Sequence, residues 1–247
     1  MLRLAAALAP LGLGLAAAQT PGQIYAVCHF QPTTQEVRAS RSSVQLATAA
    51  VDGPSTRNIN ARAQVEGSGL SSGVMYLTYT PGVGTETEVE TSGMTEGLHG
   101  IHIHDWGDLS NTETGTSTGP HYNPLDEIHG CYPTERKVGD MGNVIVNATG
   151  DGYYAERSNE LIFLDGSISV IGRATILHAL EDNCVREEGP GGDLSAGARI
   201  GFCVIGYEQE EDEDRAAHRA YIREQYAKAK LARGEQPEQE KKKLLPL

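Results

Sequence analysis

His102 and His104 stand two residues apart in Gly97-Leu98-His99-Gly100-Ile101-His102-Ile103-His104-Asp105-Trp106-Gly107-Asp108. Successive side chains of an extended backbone point to opposite faces, so these two imidazoles project the same way and can grip one transition-metal ion. Alone, His-x-His describes a pair of hydrogen-bonded surface histidines equally well. Here it opens a series: Gly119-Pro120-His121-Tyr122-Asn123-Pro124, then His129, Val138-Gly139-Asp140-Met141-Gly142-Asn143, and Ile171-Gly172-Arg173 leading to His178. The commoner fate of any single histidine is a satisfied core or surface position, so the informative unit is the set.

Short strands have to position these residues. Residues 24–30 and 73–79 read as strands, and 86–91, with its alternating glutamates, reads as an edge strand. Further strands are expected at 100–104, 144–147, 152–157, 173–178 and 199–207. Between them lie two long loops, 105–142 and 179–198, and loops of that length in a compact β domain are usually functional. Residues 31–72 form a variable loop or insertion with little apolar periodicity. From residue 208 the composition turns acidic, then Ala-rich and charged. Ile222, Tyr226 and Ala229 fall on one helical face, so 208–247 reads as a charged tail, either helical or, on the favoured reading, a solvated and partly disordered extension.

The chain has 247 residues, 39% of them hydrophobic, with 29 glycines, which suits one cored domain of short strands and tight turns plus appendages. Met1-Leu2-Arg3 precedes an apolar run that ends in Ala16-Ala17-Ala18. That run is short for a bilayer and contains Pro10, so 1–18 reads as a signal peptide rather than a membrane span, and no other segment could span a membrane. A secreted, extracellular chain meets an oxidising compartment, where Cys28, Cys131, Cys184 and Cys203 suggest two disulfides in one of three pairings. Asn147-Ala148-Thr149 is a glycosylation sequon in what reads as a hairpin turn. The net charge of −13 argues against nucleic acid as a partner and demands local positive charge if the substrate is an anion.

In order and spacing, the motifs over roughly residues 97–206 resemble the copper/zinc superoxide dismutase family. The resemblance implies an all-β fold for residues 19–207: an eight-stranded antiparallel Greek-key barrel, flattened toward a sandwich, with long active-site loops on one side. It implies conversion of superoxide to dioxygen and hydrogen peroxide at copper held by His102, His104, His121 and His178. His121 would bridge to zinc, part from copper on reduction and carry a proton. Arg199 would attract superoxide beside copper, although a structural salt bridge is its ordinary alternative. Asp182, otherwise an ordinary loop aspartate, would hold His102 and His129 in orientation. Cys28-His29-Phe30-Gln31-Pro32, Gly107-Asp108-Leu109-Ser110 and the charged tail are similar to the extracellular branch of the family. That likeness implies a Cys28–Cys203 bridge. Cys131 and Cys184 would then be close if Asp182 contacts His129, and a Cys131–Cys184 bridge would pin the two long loops together.

The chain also departs from the family. Zinc would take His121, His129 and Asp140, but the remaining position holds Lys137 where the family has histidine. Deprotonating lysine at neutral pH costs about 4–5 kcal/mol. Water or Glu135 would have to complete the site, or the Lys137 ammonium stands in for the cation. Zinc binding is therefore expected to be weak or absent while copper binding survives. The bridge usual in the family cannot form, because its positions hold Gly115 and Phe202. The loop Asp182-Asn183-Cys184-Val185-Arg186-Glu187-Glu188-Gly189-Pro190-Gly191-Gly192-Asp193 lacks the usual rim lysine, which predicts slower, more salt-sensitive association of superoxide. Polysaccharide binding, which the extracellular branch owes to a basic end, is doubtful where only Lys241-Lys242-Lys243 remains. The departures favour a rival reading, a weak or inactive extracellular copper-binding or matrix protein on the same scaffold. The copper ligands, Arg199 and Asp182 favour the enzyme. Nothing suggests a copper-delivery module, which needs an exposed site, and a homo-oligomer stays open.

Overall fold

The computed structural model describes residues 23–33, 70–131, 134–159, 161–185, 196–208 and 213–235. Nine strands occur among them: β1 Ile24–Pro32, β2 Ser72–Thr80, β3 Gly84–Ser92, β4 Gly97–Ile103, β5 Asp140–Val146, β6 Gly152–Asn159, β7 Ala174–His178, β8 Arg199–Val204 and β9 Gly206–Glu208. Every pairing is antiparallel. The order β2-β3-β6-β5-β4-β7-β8-β1 closes on itself because β1 also pairs β2, and the short β9 extends β8 along β1. The result is a closed eight-stranded antiparallel barrel. β3 is followed in sequence by β4 but pairs with β6, so the chain crosses between the two halves in the manner of a Greek key. Closure removes the free edges that an open sheet would have to protect.

Period-two alternation fills the interior. Met75, Leu77, Val89, Ile101, Ile103, Val144 and Leu177 are almost completely buried, and burying such a side chain contributes about 1.5–3 kcal/mol. β4 differs from an ordinary half-exposed strand, since Ile101 and Ile103 face the core while His99 and His102 are buried too. A disulfide joins Cys28 of β1 to Cys203 of β8, with Cα atoms 5.5 Å apart.

Two readings of the sequence are corrected here. β3 is an interior strand, hydrogen-bonded to both β2 and β6. Of the two readings of the tail, the helical one holds for residues 213–232 and the favoured solvated extension does not, because they form the helix α1, Glu213–Ala232, packed on β3, β5 and β6. The two corrections share a cause. Glu88 of β3 is fully buried, and Arg219 Nε donates to its Oε2 at 2.8 Å while Arg223 binds its other oxygen. Arg219 also reaches Glu86, and His218 pairs with Glu90 at 2.7 Å. The glutamates that resemble an edge are thus the docking stripe for a basic helix face, with Ile222 buried at its centre. The expected signal peptide 1–18, most of the expected 31–72 insertion, Arg186, Glu187, Glu188 and Lys241-Lys242-Lys243 lie outside the described residues.

Candidate metal centre

Near its end β4 presents His102, and His104 follows just past the strand, where it forms a bridge pair with His121. β7 ends on His178. One ligand nitrogen from each of His102, His104, His121 and His178 lies within 4.8 Å of the others, and all four residues are buried. Each ring has one nitrogen committed outward. His104 Nδ1 hydrogen-bonds the carbonyl of Gly119 at 2.8 Å, and His178 Nδ1 that of Gly197 at 3.1 Å. His102 Nε2 meets Asp182 Oδ2 at 2.8 Å, and His121 Nδ1 meets Asp140 Oδ1 at 2.7 Å. An N–H given to a carbonyl fixes the tautomer, so the opposite nitrogen carries a lone pair.

Those opposite nitrogens identify the chemistry. His102 Nδ1, His104 Nε2 and His178 Nε2 are buried without a hydrogen bond. A buried polar atom in that condition costs about 1–3 kcal/mol, so three aimed at one point need a common partner. His104 and His178 are held well below the usual histidine range, chiefly by burial, then by neighbouring histidines and the charge of Arg199. Neutral imidazoles cannot donate to one another through their lone pairs, but they can ligate a metal. A set of imidazoles with no carboxylate or thiolate suits copper.

A second group adjoins the first through His121. His121, His129 and Asp140 place ligand atoms within 4.8 Å of one another. Asp140 Oδ2 lies 3.1 Å from His129 Nδ1 and accepts the amides of Gly130 at 3.0 Å and Lys137 at 3.3 Å. His129 Nε2 meets Asp182 Oδ1 at 3.0 Å, so one carboxylate spans the two groups. Burial works against a charge on His129, but Asp140 and Asp182 overcome it and raise its pKa to about 10. Both carboxyls are correspondingly held well below their usual range despite burial. Two imidazoles and a carboxylate are zinc-type donors, yet structural zinc takes four. Lys137, largely buried, occupies the same loop.

Arg199 stands opposite His178 in the β7–β8 register. Its guanidinium donates to the carbonyls of Gly115 and Gly119, each at 2.8 Å, and to Thr118 Oγ1 at 2.9 Å. These acceptors flank a 3-10 turn, Thr116–Thr118, entered and left through positive-φ glycines. Packing beside the site is equally tight. A Cβ on Gly100 would lie 2.6 Å from Ala196 Cβ and 3.4 Å from Asp182 Cβ, so glycine lets Asp182 approach β4. A second disulfide joins Cys131 to Cys184.

The structure therefore brings together His102, His104, His121 and His178; His121, His129 and Asp140; and Asp182 between the groups, with Arg199 beside the first. Asn147 is exposed in the β5–β6 turn, where its Oδ1 accepts the amides of Thr149 and Asp151. Sequence reading missed the carbonyls of Gly119 and Gly197, which carry no side-chain signal. It also missed Asn143, which exchanges two 2.8 Å hydrogen bonds with the backbone of Asp182. The Gly119-Pro120-His121 and Gly197-Ala198-Arg199 juxtapositions were the only available hints.

Comparison with known proteins agrees with this geometry. The profile of the family described as copper/zinc superoxide dismutase (SODC) matches residues 71–205. The chain is 40% identical over 154 residues to superoxide dismutase [Cu-Zn] 2 of Mesembryanthemum crystallinum, covering 60% of this chain and 91% of that protein. It is 37% identical over 152 residues to superoxide dismutase [Cu-Zn] of Onchocerca volvulus, covering 59% and 94%. Superoxide dismutase [Cu-Zn] 3 of Arabidopsis thaliana is 33% identical over 162 residues, covering 63% and 94%.

Proposed function

Since the chain belongs to the copper/zinc superoxide dismutase family of oxidoreductases, we propose that it is a secreted superoxide dismutase whose copper is held by His102, His104, His121 and His178. The observation that carries this reading is the convergence of three buried, unsatisfied imidazole nitrogens beside one guanidinium. Copper, when bound, supplies the one-electron acceptor and donor that dismutation needs. The chain supplies the rest. Arg199 keeps its charge at any working pH and, held by two carbonyls and a hydroxyl, offers an anion fixed N–H groups without having to reorganise. His121, pinned through Nδ1 to Asp140, presents Nε2 as the atom that can hold a proton for the peroxide product. Gly119 and Gly197 keep His104 and His178 in the ligating tautomer. Asp182 does the same for His102.

Zinc is a weaker occupant on this reading, because three donors converge and Lys137 stands where a fourth would be. Secretion is supported by the signal-peptide pattern of residues 1–18 and by two disulfides. The exposed Asn147 sequon fits the same compartment. No helix among the described residues is long and apolar enough to cross a membrane.

The test is to express the full-length chain in a secreting host and measure copper, zinc and superoxide consumption on one sample from the medium. About one copper per chain, substoichiometric zinc and rapid consumption are expected. Copper-loaded protein that consumes no superoxide defeats the enzyme reading, and one tightly held zinc per copper defeats the zinc reading. A chain retained inside the cells defeats secretion, and a chain whose mass is unchanged by N-glycosidase defeats use of Asn147.

A further inference from the structure

The Cys131–Cys184 disulfide lies against the one carboxylate that joins the two metal groups. Cys131 follows His129 by two residues and Cys184 follows Asp182 by two, although 53 residues separate the cysteines in the chain. The bond therefore closes a small ring: His129, Gly130, Cys131, Cys184, Asn183, Asp182, and back to His129 through its 3.0 Å contact with Asp182 Oδ1. Inside that ring Cys184 donates its amide to Asp182 Oδ1 at 2.9 Å, and Cys131 Sγ lies 3.8 Å from Oδ2. Cys184 has φ +57°, a conformation a non-glycine residue adopts where its surroundings impose it. The other disulfide contrasts with this one. Cys28–Cys203 is buried between β1 and β8 and forms part of the hydrophobic core.

We propose that the Cys131–Cys184 bond is a positioning element for the copper site: by tethering the His129 loop to Asp182 it orients His102, and in this chain it stands in for the hold that a fourth zinc ligand would exert. The second clause follows from Lys137. A four-ligand zinc would draw His121, His129 and Asp140 together from within, but among the described residues the converging donors are three. On the Asp182 side the disulfide adds a covalent restraint to the hydrogen bond between His129 and Asp182. Asp182 then passes the restraint on, because its Oδ2 meets His102 Nε2 at 2.8 Å and His102 Nδ1 is one of the inward nitrogens. Both cysteines are partly exposed, so a reductant reaches the bond.

This inference rests on the copper reading, and its test is read from affinity and spectrum rather than turnover. Copper affinity is measured by chelator competition, and the Cu(II) electron paramagnetic resonance spectrum is recorded, for wild type, C131S/C184S, Asp182→Asn, their combination, and C28S/C203S. Losing a group that orients a metal ligand typically weakens metal binding 10–100-fold. We expect a weakening of at least about tenfold and an altered spectrum in C131S/C184S. Asp182→Asn should add little to it, and C28S/C203S should retain wild-type affinity and spectrum while losing stability. Should C131S/C184S fail to fold, folded C28S/C203S is reduced to open this bond alone, the two freed thiols are alkylated and the reductant is removed, and the expected tenfold loss and altered spectrum are read there with Cu(II). Wild-type affinity and spectrum after the bond is opened by either route overturn the proposal, as does full additivity with Asp182→Asn. Wild-type protein that binds copper but consumes no superoxide defeats the functional reading and leaves this readout intact.

Discussion

The ring of His104 and the guanidinium of Arg199 share one acceptor: His104 Nδ1 and Arg199 Nη2 both donate to the carbonyl of Gly119 at 2.8 Å. The group that would attract an anion is thereby indexed to a copper ligand through a single backbone oxygen. Arg199 also lowers the pKa of that ring, after burial and His121. The positive charge and the neutral imidazole are arranged as a unit.

Replacing Arg199 with alanine is expected to lower the second-order rate with superoxide by about tenfold or more, since electrostatic steering contributes on that scale, and to flatten its ionic-strength dependence. Copper content should stay near wild type. Lysine should restore the salt dependence but not the full rate, because one ammonium cannot reproduce the three fork contacts. Rate measurements across a salt series on metal-quantified samples check this, and a rate independent of ionic strength in the wild type would contradict it.

The metal-free protein should be most stable near pH 6.5, because His104 and His178, held well below that value, stay neutral in the fold while their unfolded counterparts take up protons as pH falls beneath it. The pKa of His129 is raised from 6.5 to about 10, so its contribution is complete below pH 6.5 and is lost as pH rises through 10. Asp140 and Asp182 are depressed below 3.8, so their contributions are present above that value and fade as pH falls beneath it. Stability from this cluster should thus peak near pH 6.5, falling on the acid side through His104 and His178 and on the alkaline side through His129. Urea midpoints of the metal-free chain across pH measure it. Zinc must displace the His129 proton, so zinc uptake should release protons and weaken as pH falls.

Lys137→His should convert the three-donor group into a zinc site. About one zinc per chain is expected, with zinc at 100 times its dissociation constant adding about 2.7 kcal/mol. For a chain of this size that raises Tm by roughly 5–10 °C. Calorimetry with and without added zinc, beside metal analysis, provides the comparison. An unchanged zinc content would show that Lys137 is not the limiting position.

Helix α1 should prove integral to the barrel. Arg219→Ala leaves the fully buried Glu88 with one arginine fewer, and breaking a buried ion pair costs about 3–5 kcal/mol. Ile222→Ala, at the centre of the same face, should cost about 2–5 kcal/mol. Denaturant unfolding reads both, and a change below 1 kcal/mol in each would mean that the helix docks without stabilising the sheet.

Much of the metal site was legible in residue order, because ligand chemistry resides in side-chain type and His-x-His on an extended backbone fixes a shared face. His102 and His104 needed nothing beyond local geometry. β3 was read as an edge, and the tail's helix ranked below a solvated extension, for one reason: a strand of alternating glutamates and a charged, Ala-rich segment each look solvated when taken singly. Glu88 is buried only because Arg219 and Arg223 arrive from more than 130 residues away. Pairing across that distance has no periodic signature.

Residue identity by itself determined which atoms can ligate a metal and which cation can face an anion. Tertiary structure alone decided which nitrogen of each ring turns inward, since the carbonyls of Gly119 and Gly197 make that choice and every residue has a carbonyl. It also decided that one carboxylate, Asp182, touches both metal groups. A tautomer depends on where a hydrogen-bond acceptor lies in space, and that position exists only once the barrel has closed.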